Sequence, residues 1–252
     1  MVIKLKWTIK QIEILKSEYL KKGEHSISSI INKSPNAIRI KASRMKIYKL
    51  SRKENIKLST IEEQVILGGI LGDLCCRITK TCKNARIEGA HCRLQEPYLF
   101  WKVSILKNLS FIFWRSKLGQ LRFQSKTYPI LNHYYDLFYR NGKKEVDDHI
   151  LEKVDEFGLA IWYMDDGSYI KRERRSRLYT NGFSYNENII MKGWFESKWN
   201  ISPKIYSDKK PKQYPGKIWF FLQFNAKETQ KLFSLIKDYI HPSMKYKIGV
   251  IN

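Results

Sequence analysis

Two apolar runs dominate the hydrophobic pattern of this chain. Val65-Ile-Leu-Gly-Gly-Ile-Leu-Gly-Asp73 and Gly158-Leu-Ala-Ile-Trp-Tyr-Met-Asp-Asp166-Gly167 are both of helix length, both carry small residues, and both stop at an acid. Ser59 or Thr60, with Glu62 and Glu63 behind it, marks the start of the first helix. After Asp73 the period shortens to two. Arg77 and Thr79 alternate with Cys76 and Ile78, and a second strand returns over 86–94 across a polar turn at 80–84. Residues 97–109 predict an amphipathic helix with Leu99, Val103, Leu106 and Leu109 apolar. Leu121 and Phe123 alternate with Arg122, Gln124 and Lys126, a strand with one wet face, and an aromatic-rich helix follows over 133–139. The order then recurs from Asp155: the second apolar run, strands at 169–170 and 178–183, a helix over 187–199, strands at 204–207 and 218–224, and a helix over 227–239. The recurrence predicts an α+β fold built as an internal repeat of two αββαββα units, over 61–144 and 145–252. Each sheet is expected to pack one face on helices and leave the other free.

Residues 1–50 have a different pattern and predict a small all-α domain, joined by a polar, basic linker over 51–60. Trp7, Ile12, Leu15, Tyr19 and Leu20 form the stripe of a helix capped by Thr8 and closed by Gly23. Ile27, Ile30 and Ile31 mark a short second helix. Ser34-Pro35 opens a third over 35–46, with an N-cap followed by proline at the first helical position. Ala37, Ile38, Ala42 and Met45 face inward there, leaving Asn36, Arg39, Lys41, Ser43 and Arg44 outside. Three short helices with a basic third resemble helix-turn-helix and Myb-like modules. That likeness implies DNA binding through Asn36, Arg39, Lys41 and Arg44 in a major groove. The alternative is a helical cap on the main domain.

The acids repay a physical reading. Gly68 and Gly72 lie at i and i+4, on one helix face. Glycine costs about 1 kcal/mol against alanine inside a helix, and close approach of a second helix is the usual reason for two of them. Gly158 and Ala160 occupy the corresponding turn of the second run. Packed together, the two helices bring Asp73 and Asp166 side by side at their C-terminal ends. The helix dipole disfavours a carboxylate there, and paired carboxylates repel unless a proton or cation lies between them. Oxygen ligands with open positions suit Mg²⁺. Two unrelated helices with ordinary terminal aspartates do not explain the same register occurring twice.

These residues resemble the LAGLIDADG homing endonucleases in their two-motif, single-chain form. Ile66 to Leu74 aligns with the nine-residue motif, as does Leu159 to Gly167, with the catalytic acid at the eighth position in Asp73 and Asp166. The first copy departs by Leu74 where the pattern has glycine, and the second by bulky Ile161 and Trp162. The resemblance covers residues 56–252 and implies saddle-shaped sheets and a monomer cutting both strands of DNA. It implies divalent metal held by Asp73, Asp166 and the backbone carbonyls of Gly72 and Asp165, with Mg²⁺ the expected cofactor and Mn²⁺ or Ca²⁺ able to substitute in binding. It also implies one catalytic lysine per half. Lys144 follows the first half's last helix, and Lys247 holds the equivalent place in Met244-Lys-Tyr-Lys-Ile, with Lys143 and Lys245 the alternative registers. Such a lysine could stabilise charge developing on a scissile phosphate.

Charge supports a nucleic-acid partner independently. Forty-seven basic against 24 acidic residues leave a formal +23, an excess that points to a polyanion. No long apolar run or signal-peptide pattern appears, so neither a membrane nor secretion is expected. The expected location is the compartment holding the target DNA, whether bacterial or phage cytoplasm or an organelle matrix. The basic residues fall on the strands and hairpins: Arg77, Lys80, Lys83, Arg86, Arg93, Arg122, Gln124 and Lys126 in the first half. Lys171, Arg172, Arg174, Arg175, Arg177, Lys204, Lys209, Lys210, Lys212 and Gln213 follow in the second. Arginine and glutamine are suited to guanine and adenine edges, lysine to phosphates. Cys75, Cys76, Cys82 and Cys92 lie in one stretch; they lack the paired spacing of a zinc site with His91, and read as free thiols. The five histidines follow no ligand spacing.

The sequence therefore predicts a site-specific, metal-dependent double-strand endonuclease encoded by a mobile element, with a long asymmetric DNA site. Two alternatives share its fold and charge: a maturase that binds intron RNA and assists splicing, and a non-cleaving DNA-binding regulator. Both acids are in place, which favours cleavage.

Overall fold

The structure is a computed structural model describing residues 7–45, 47, 56–209 and 218–250. The chain divides into two compact units, Met1–Ile56 and Lys57–Asn252.

The smaller unit is helical. α1 (Ile9–Ile31) starts at Thr8 through a capping box with Gln11. It is interrupted at Gly23, whose φ of 79° and ψ of 170° belong to no helix, so the expected stop becomes a break between two helical segments. Asn32 closes the second segment in the left-handed region, and α2 (Pro35–Arg44) follows, with the Ser34 side chain accepting from Ala37 N–H. Leu15, Tyr19, Ile27, Ile31, Ile38 and Ala42 form the core, with Trp7, Ile14, Met45 and Ile47 packed against it. Leu20 and Ile30, expected inside, are exposed. Lys46, the expected end of the third helix, and residues 51–55 of the linker lie outside the described residues.

The larger unit contains the repeat. Its first copy runs α3 (Thr60–Leu71), β1 (Cys75–Arg77), β2 (Arg86–His91), α4 (Glu96–Ile105), β3 (Phe111–Arg115), β4 (Leu121–Ser125) and α5 (Ile130–Phe138). A two-residue hairpin, β5 (Tyr139–Arg140) and β6 (Lys143–Lys144), and short α6 (Asp148–Glu152) lead to the second copy. That copy runs α7 (Glu156–Asp166), β7 (Gly167–Ile170), β8 (Arg175–Tyr179), α8 (Tyr185–Trp199), β9 (Lys204–Lys209), β10 (Ile218–Phe224) and α9 (Ala226–Ile236). Both sheets are antiparallel with matching order, β1-β2-β4-β3 and β7-β8-β10-β9. The chain thus has the mixed helix and antiparallel-sheet architecture expected, with the αββαββα order twice.

Register separates the two faces of each sheet. Cross-strand partners Arg77 and Arg86, Glu88 and Gln124, Ala90 and Arg122, and Trp114 and Arg122 put the polar residues of the first sheet on one side. Cys76, Ile87, Leu121 and Phe123 are buried on the other. In the second sheet Ser168, Arg177, Gln223 and Lys204 stand in one row, while Leu178, Leu222 and Phe224 are buried behind. Several strands differ from the pattern reading; β3 has no counterpart in it, and three others shift named residues. β1 stops at Arg77, leaving Ile78 and Thr79 outside it. β2 stops at His91, so Arg93 falls in a 3-10 turn, Arg93–Gln95. β8 starts at Arg175 and ends at Tyr179 instead of spanning 178–183.

The copies meet along α3 and α7, and glycine sets how closely. A Cβ on Gly68 would overlap the Gly158 carbonyl oxygen, and one on Gly72 would lie 2.6 Å from Asp165 Cβ. Gln64 completes the seam, donating to Lys153 O at 2.8 Å and accepting from Asp155 N–H at 3.0 Å. Ala160, Ile161 and Trp162 are wholly buried; Ile161 packs where Gly68 leaves room, its Cβ 3.0 Å from the place a Gly68 Cβ would take, while Trp162 lies against Phe195 of its own half, ring centres 6.5 Å apart.

Candidate active site and nucleic-acid interface

Both motif helices end at the same place. Gly72 N–H returns to Gly68 O, closing α3, and Asp73 is the next residue. Helix α7 continues through Asp166 before Gly167 turns extended and opens β7. Burial, then the Asp165 charge, pushes the Asp73 carboxyl up to about 6 against the pull of Lys102, Lys247 and Lys144. Burial, then Asp73 and Asp165, pushes Asp166 up to about 8. Among the described residues the Asp166 carboxylate has no hydrogen bond or ion pair. Two acids that resist ionisation beside each other form a place where a cation is wanted.

The two lysines converge on these helix ends. Lys144 Nζ donates to Ile70 O at 2.8 Å and to Gly72 O at 3.4 Å. Lys247 Nζ donates to Asp165 O at 2.7 Å. Both cap the C-terminal carbonyls of a motif helix, where a cation opposes the helix dipole. Burial lowers both ammonium pKa values while the surrounding aspartates pull them back up. The alternative Lys143 is exposed, and Lys245 is half-buried.

Sequence reasoning missed a buried polar group under the first acid. Asp165 accepts from Lys102 Nζ at 2.7 and 2.9 Å, from Tyr98 O–H at 2.9 Å and from Asp73 N–H at 3.3 Å. His91 lies beside it, its Nδ1 3.9 Å from Asp73 Oδ2 and 3.2 Å from Gln95 Oε1. Burial, then the Lys102 charge, pushes the His91 imidazole down to about 4, so the ring is neutral at physiological pH. Its Nε2 is buried without a hydrogen-bond partner among the described residues. Asp73, His91 and Asp165 offer ligand atoms within 4.8 Å of one another, a possible acidic metal site. One signal was legible: Lys102 lies four residues after Tyr98 and three after Leu99, on the buried face of α4, where a lysine needs an anion.

The free face of the first sheet runs up to this site. Arg77, Arg86, Arg122 and Gln124 line a 390 Å³ groove with Asp73, Glu88 and Trp114. Glu88 holds both Arg77, at 3.4 Å, and Arg86, at 3.0 Å. Lys80 and Lys83 are exposed in the β1–β2 loop, Lys126 just after β4, and Arg93 in its turn. In the second sheet Arg177 donates to Gln223 Oε1 at 3.0 Å and lies 4.8 Å from the Phe221 ring centre. Lys204 is exposed on β9, and Arg175 pairs with Glu173 at 3.3 Å. Lys171 and Arg172 are exposed in the hairpin turn. Arg174 differs: in the left-handed region at φ 50°, it lines a depression with Tyr169, Lys227 and Lys237 beside α9, away from the free sheet face. The Lys209 side chain, Lys210, Lys212 and Gln213 lie outside the described residues. In the smaller unit Asn36, Arg39 and Arg44 are exposed, Arg39 donating to Asn36 Oδ1 at 2.9 Å, and Lys41 lies 5.9 Å from the Trp7 ring centre. The four cysteines are free thiols: Cys76 is buried, with burial pushing its pKa up to about 12, and Cys92 is exposed. Among the described residues no helix is long and apolar enough to cross a membrane.

Fold and site together define a duplicated α+β core whose motif helices bring one acid from each copy to a common seam, flanked by basic sheet faces. The chain belongs to the LAGLIDADG DNA endonuclease family, which it matches over residues 63–232. It is 35% identical over 131 residues to a protein of Mycosarcoma maydis named probable intron-encoded DNA endonuclease 3, a match covering 50% of this chain and 88% of the relative. It is 29% identical over 202 residues to cytochrome b mRNA maturase bI2 of Debaryomyces hansenii, covering 74% of this chain and 72% of that one. Its fold is similar to that of the homing endonuclease I-WcaI bound to its DNA recognition sequence, with a TM-score of 0.67 and 22% identity over 89% of this chain and 98% of that one.

Proposed function

We propose that this chain is a site-specific homing endonuclease that cuts both strands of a long, asymmetric DNA site as a monomer. The observation that carries the reading is the seam. Two glycine-packed helices deliver Asp73 and Asp166 together, both pushed above the usual carboxylate range, where two basic sheets end. The donor set fits a hard divalent cation: two carboxylates raised in pKa, with the Gly72 and Asp165 carbonyls at the same helix ends. Each of those carbonyls accepts from a lysine and retains a second lone pair. A divalent cation held there, Mg²⁺ with Mn²⁺ or Ca²⁺ able to substitute in binding, would supply a water of lowered pKa and charge to offset the leaving 3′-oxygen. Asp73 and Asp166 hold that charge, one for each strand. Lys144 and Lys247, anchored on motif carbonyls, place an ammonium beside each acid to offset negative charge on the scissile phosphate. Arg77, Arg86, Arg122, Gln124, Arg177 and Lys204 hold the duplex, arginine and glutamine at base edges and lysine at phosphates. The smaller unit extends the footprint at one end through Asn36, Arg39, Lys41 and Arg44. The protein works in the compartment that holds its target DNA.

A second reading has a specific support: the relative named an mRNA maturase matches most of this chain. On that reading the basic surface also binds intron RNA, and DNA cutting is a separate activity of the same core. The test is cleavage-site selection from a randomised DNA library with Mg²⁺, repeated with Asp73→Asn and Asp166→Asn. Each variant should lose double-strand cutting while still binding DNA, because ligation of the cation is lost and affinity is not. Undiminished cutting by either would refute the assignment.

A further inference from the structure

Asp73 is held differently from Asp166. The amides on either side of Asp73 return to helix α3: Gly72 N–H to Gly68 O at 3.1 Å, and Leu74 N–H to Gly69 O at 2.7 Å. The Asp73 amide does not. Its partner is the Asp165 carboxylate, at 3.3 Å, reaching across from the other half. Asp166, by contrast, lies within helix α7. Its counterpart neighbour is Gly72, which has no side chain to reach back.

The Asp165 carboxylate is wholly buried, and so is Lys102, with side chains 0% and 1% exposed. A buried charge survives only with a full set of partners. Here that set comes entirely from the first half. Lys102 and Tyr98 stand on α4, and the third donor is the Asp73 amide. One carboxylate from the second half therefore ties α4 of the first half to the first acid. Gly72 leaves the room for it, since a Cβ there would lie 2.6 Å from Asp165 Cβ.

We infer that Asp165, clamped by Lys102 and Tyr98, is a positioning residue for Asp73 and through it sets the rate of one of the two strand cuts. The inference rests on the nuclease reading for its effect on cutting, and on geometry alone for its effect on Asp73. Among the described residues Asp166 has no equivalent device, so losing the clamp should make the two cuts unequal. A role in general stability would slow both alike.

The test uses the full chain and the paired variant Lys102→Met/Asp165→Leu. Removing both charges avoids stranding one of them, so the fold should survive. Duplex labelled on each strand separately should then show one strand cut about tenfold or more slowly and nicked DNA accumulating, as expected for a misplaced reacting group. In the same variant the Asp73 amide should exchange its proton about tenfold faster, while the Gly72 and Leu74 amides keep their protection. Equal slowing of both strands, or undiminished cutting of both, overturns the inference, as does unchanged exchange at Asp73. Should the wild-type chain cut no DNA, the nuclease reading falls, and amide exchange alone decides whether Asp165 positions Asp73.

Discussion

Gly68→Ala tests whether the closeness of the seam is what makes the site work. The added methyl would meet the Gly158 carbonyl, with its carbon 2.9 Å away, and Ile161 Cβ at 3.0 Å. Ordinary carbon–carbon contact is about 3.5–4.0 Å, and the Gly158 carbonyl oxygen is closer still, so the helices must part by more than about 1 Å. Two effects on stability oppose each other. Alanine gains about 1 kcal/mol over glycine in helix propensity, and overpacking costs about 1–3 kcal/mol. The net loss is at most about 2 kcal/mol, which a folded domain of this size tolerates. Activity is more sensitive, because displacement of reacting groups by about 1 Å lowers rates about a hundredfold. The assay is a single-turnover cut of a selected duplex at saturating protein, with affinity measured in Ca²⁺. Cutting should fall about a hundredfold while affinity stays within about threefold, under 1 kcal/mol. Gly193→Ala is the control. It lies in α8 with nothing within 4 Å of the new methyl, and should be stabilised by about 0.5–1 kcal/mol with unchanged cutting. A Gly68→Ala protein that cuts at the wild-type rate would refute the argument.

The other predictions concern binding, the smaller unit and pH. About ten phosphate contacts should give log K against log salt a slope near −9; a slope shallower than about −3 would remove the sheet faces as the nucleic-acid surface. Deleting residues 1–50 should shorten the protected DNA at one end and leave the cut positions unchanged, whereas an unshortened footprint with a less stable core would favour the structural cap. Asp73 and Asp166 titrate near 6 and 8, above the usual 3.8, so the folded state binds more protons than the unfolded chain across that range. Their contribution to stability is fully present below about pH 4 and is lost as pH rises through 6 and then 8. On the proposed reading a divalent cation would take over from the missing protons, so the rise in melting temperature with Ca²⁺ should be larger at pH 8.5 than at pH 5. A rise that is equal at the two values, or larger at pH 5, would count against cation binding at these acids.

What could be read from the chain follows from range. The motif helices were legible because every feature that defines them is local: an apolar run, small residues on one face, and an acid at the end. Strand β3 was not located, because Phe-Ile-Phe-Trp-Arg does not alternate, and Ile112, Phe113 and Trp114 remain exposed. His91 and Asp73 are 18 positions apart and meet only because β2 ends beside the motif helix; ligand spacing could not show it. Lys102 was visible as a lysine on an apolar helix face, but its partner is 63 residues away and belongs to the other copy. Arg93 was placed on a strand because alternation continues past the point where Cys92 turns the chain.

The mismatch between Gly72 and Asp165 bears on which halves can associate. A seam built from two second halves would set one Asp165 carboxylate against another, without the Lys102 that the first half supplies. A seam built from two first halves would oppose Gly72 to Gly72 and strand the buried Lys102 of each half without the carboxylate that pairs it. The duplicated halves have thus become lock and complement. Each excludes its own kind, and a grafted half would assemble only if it carried the matching notch or peg.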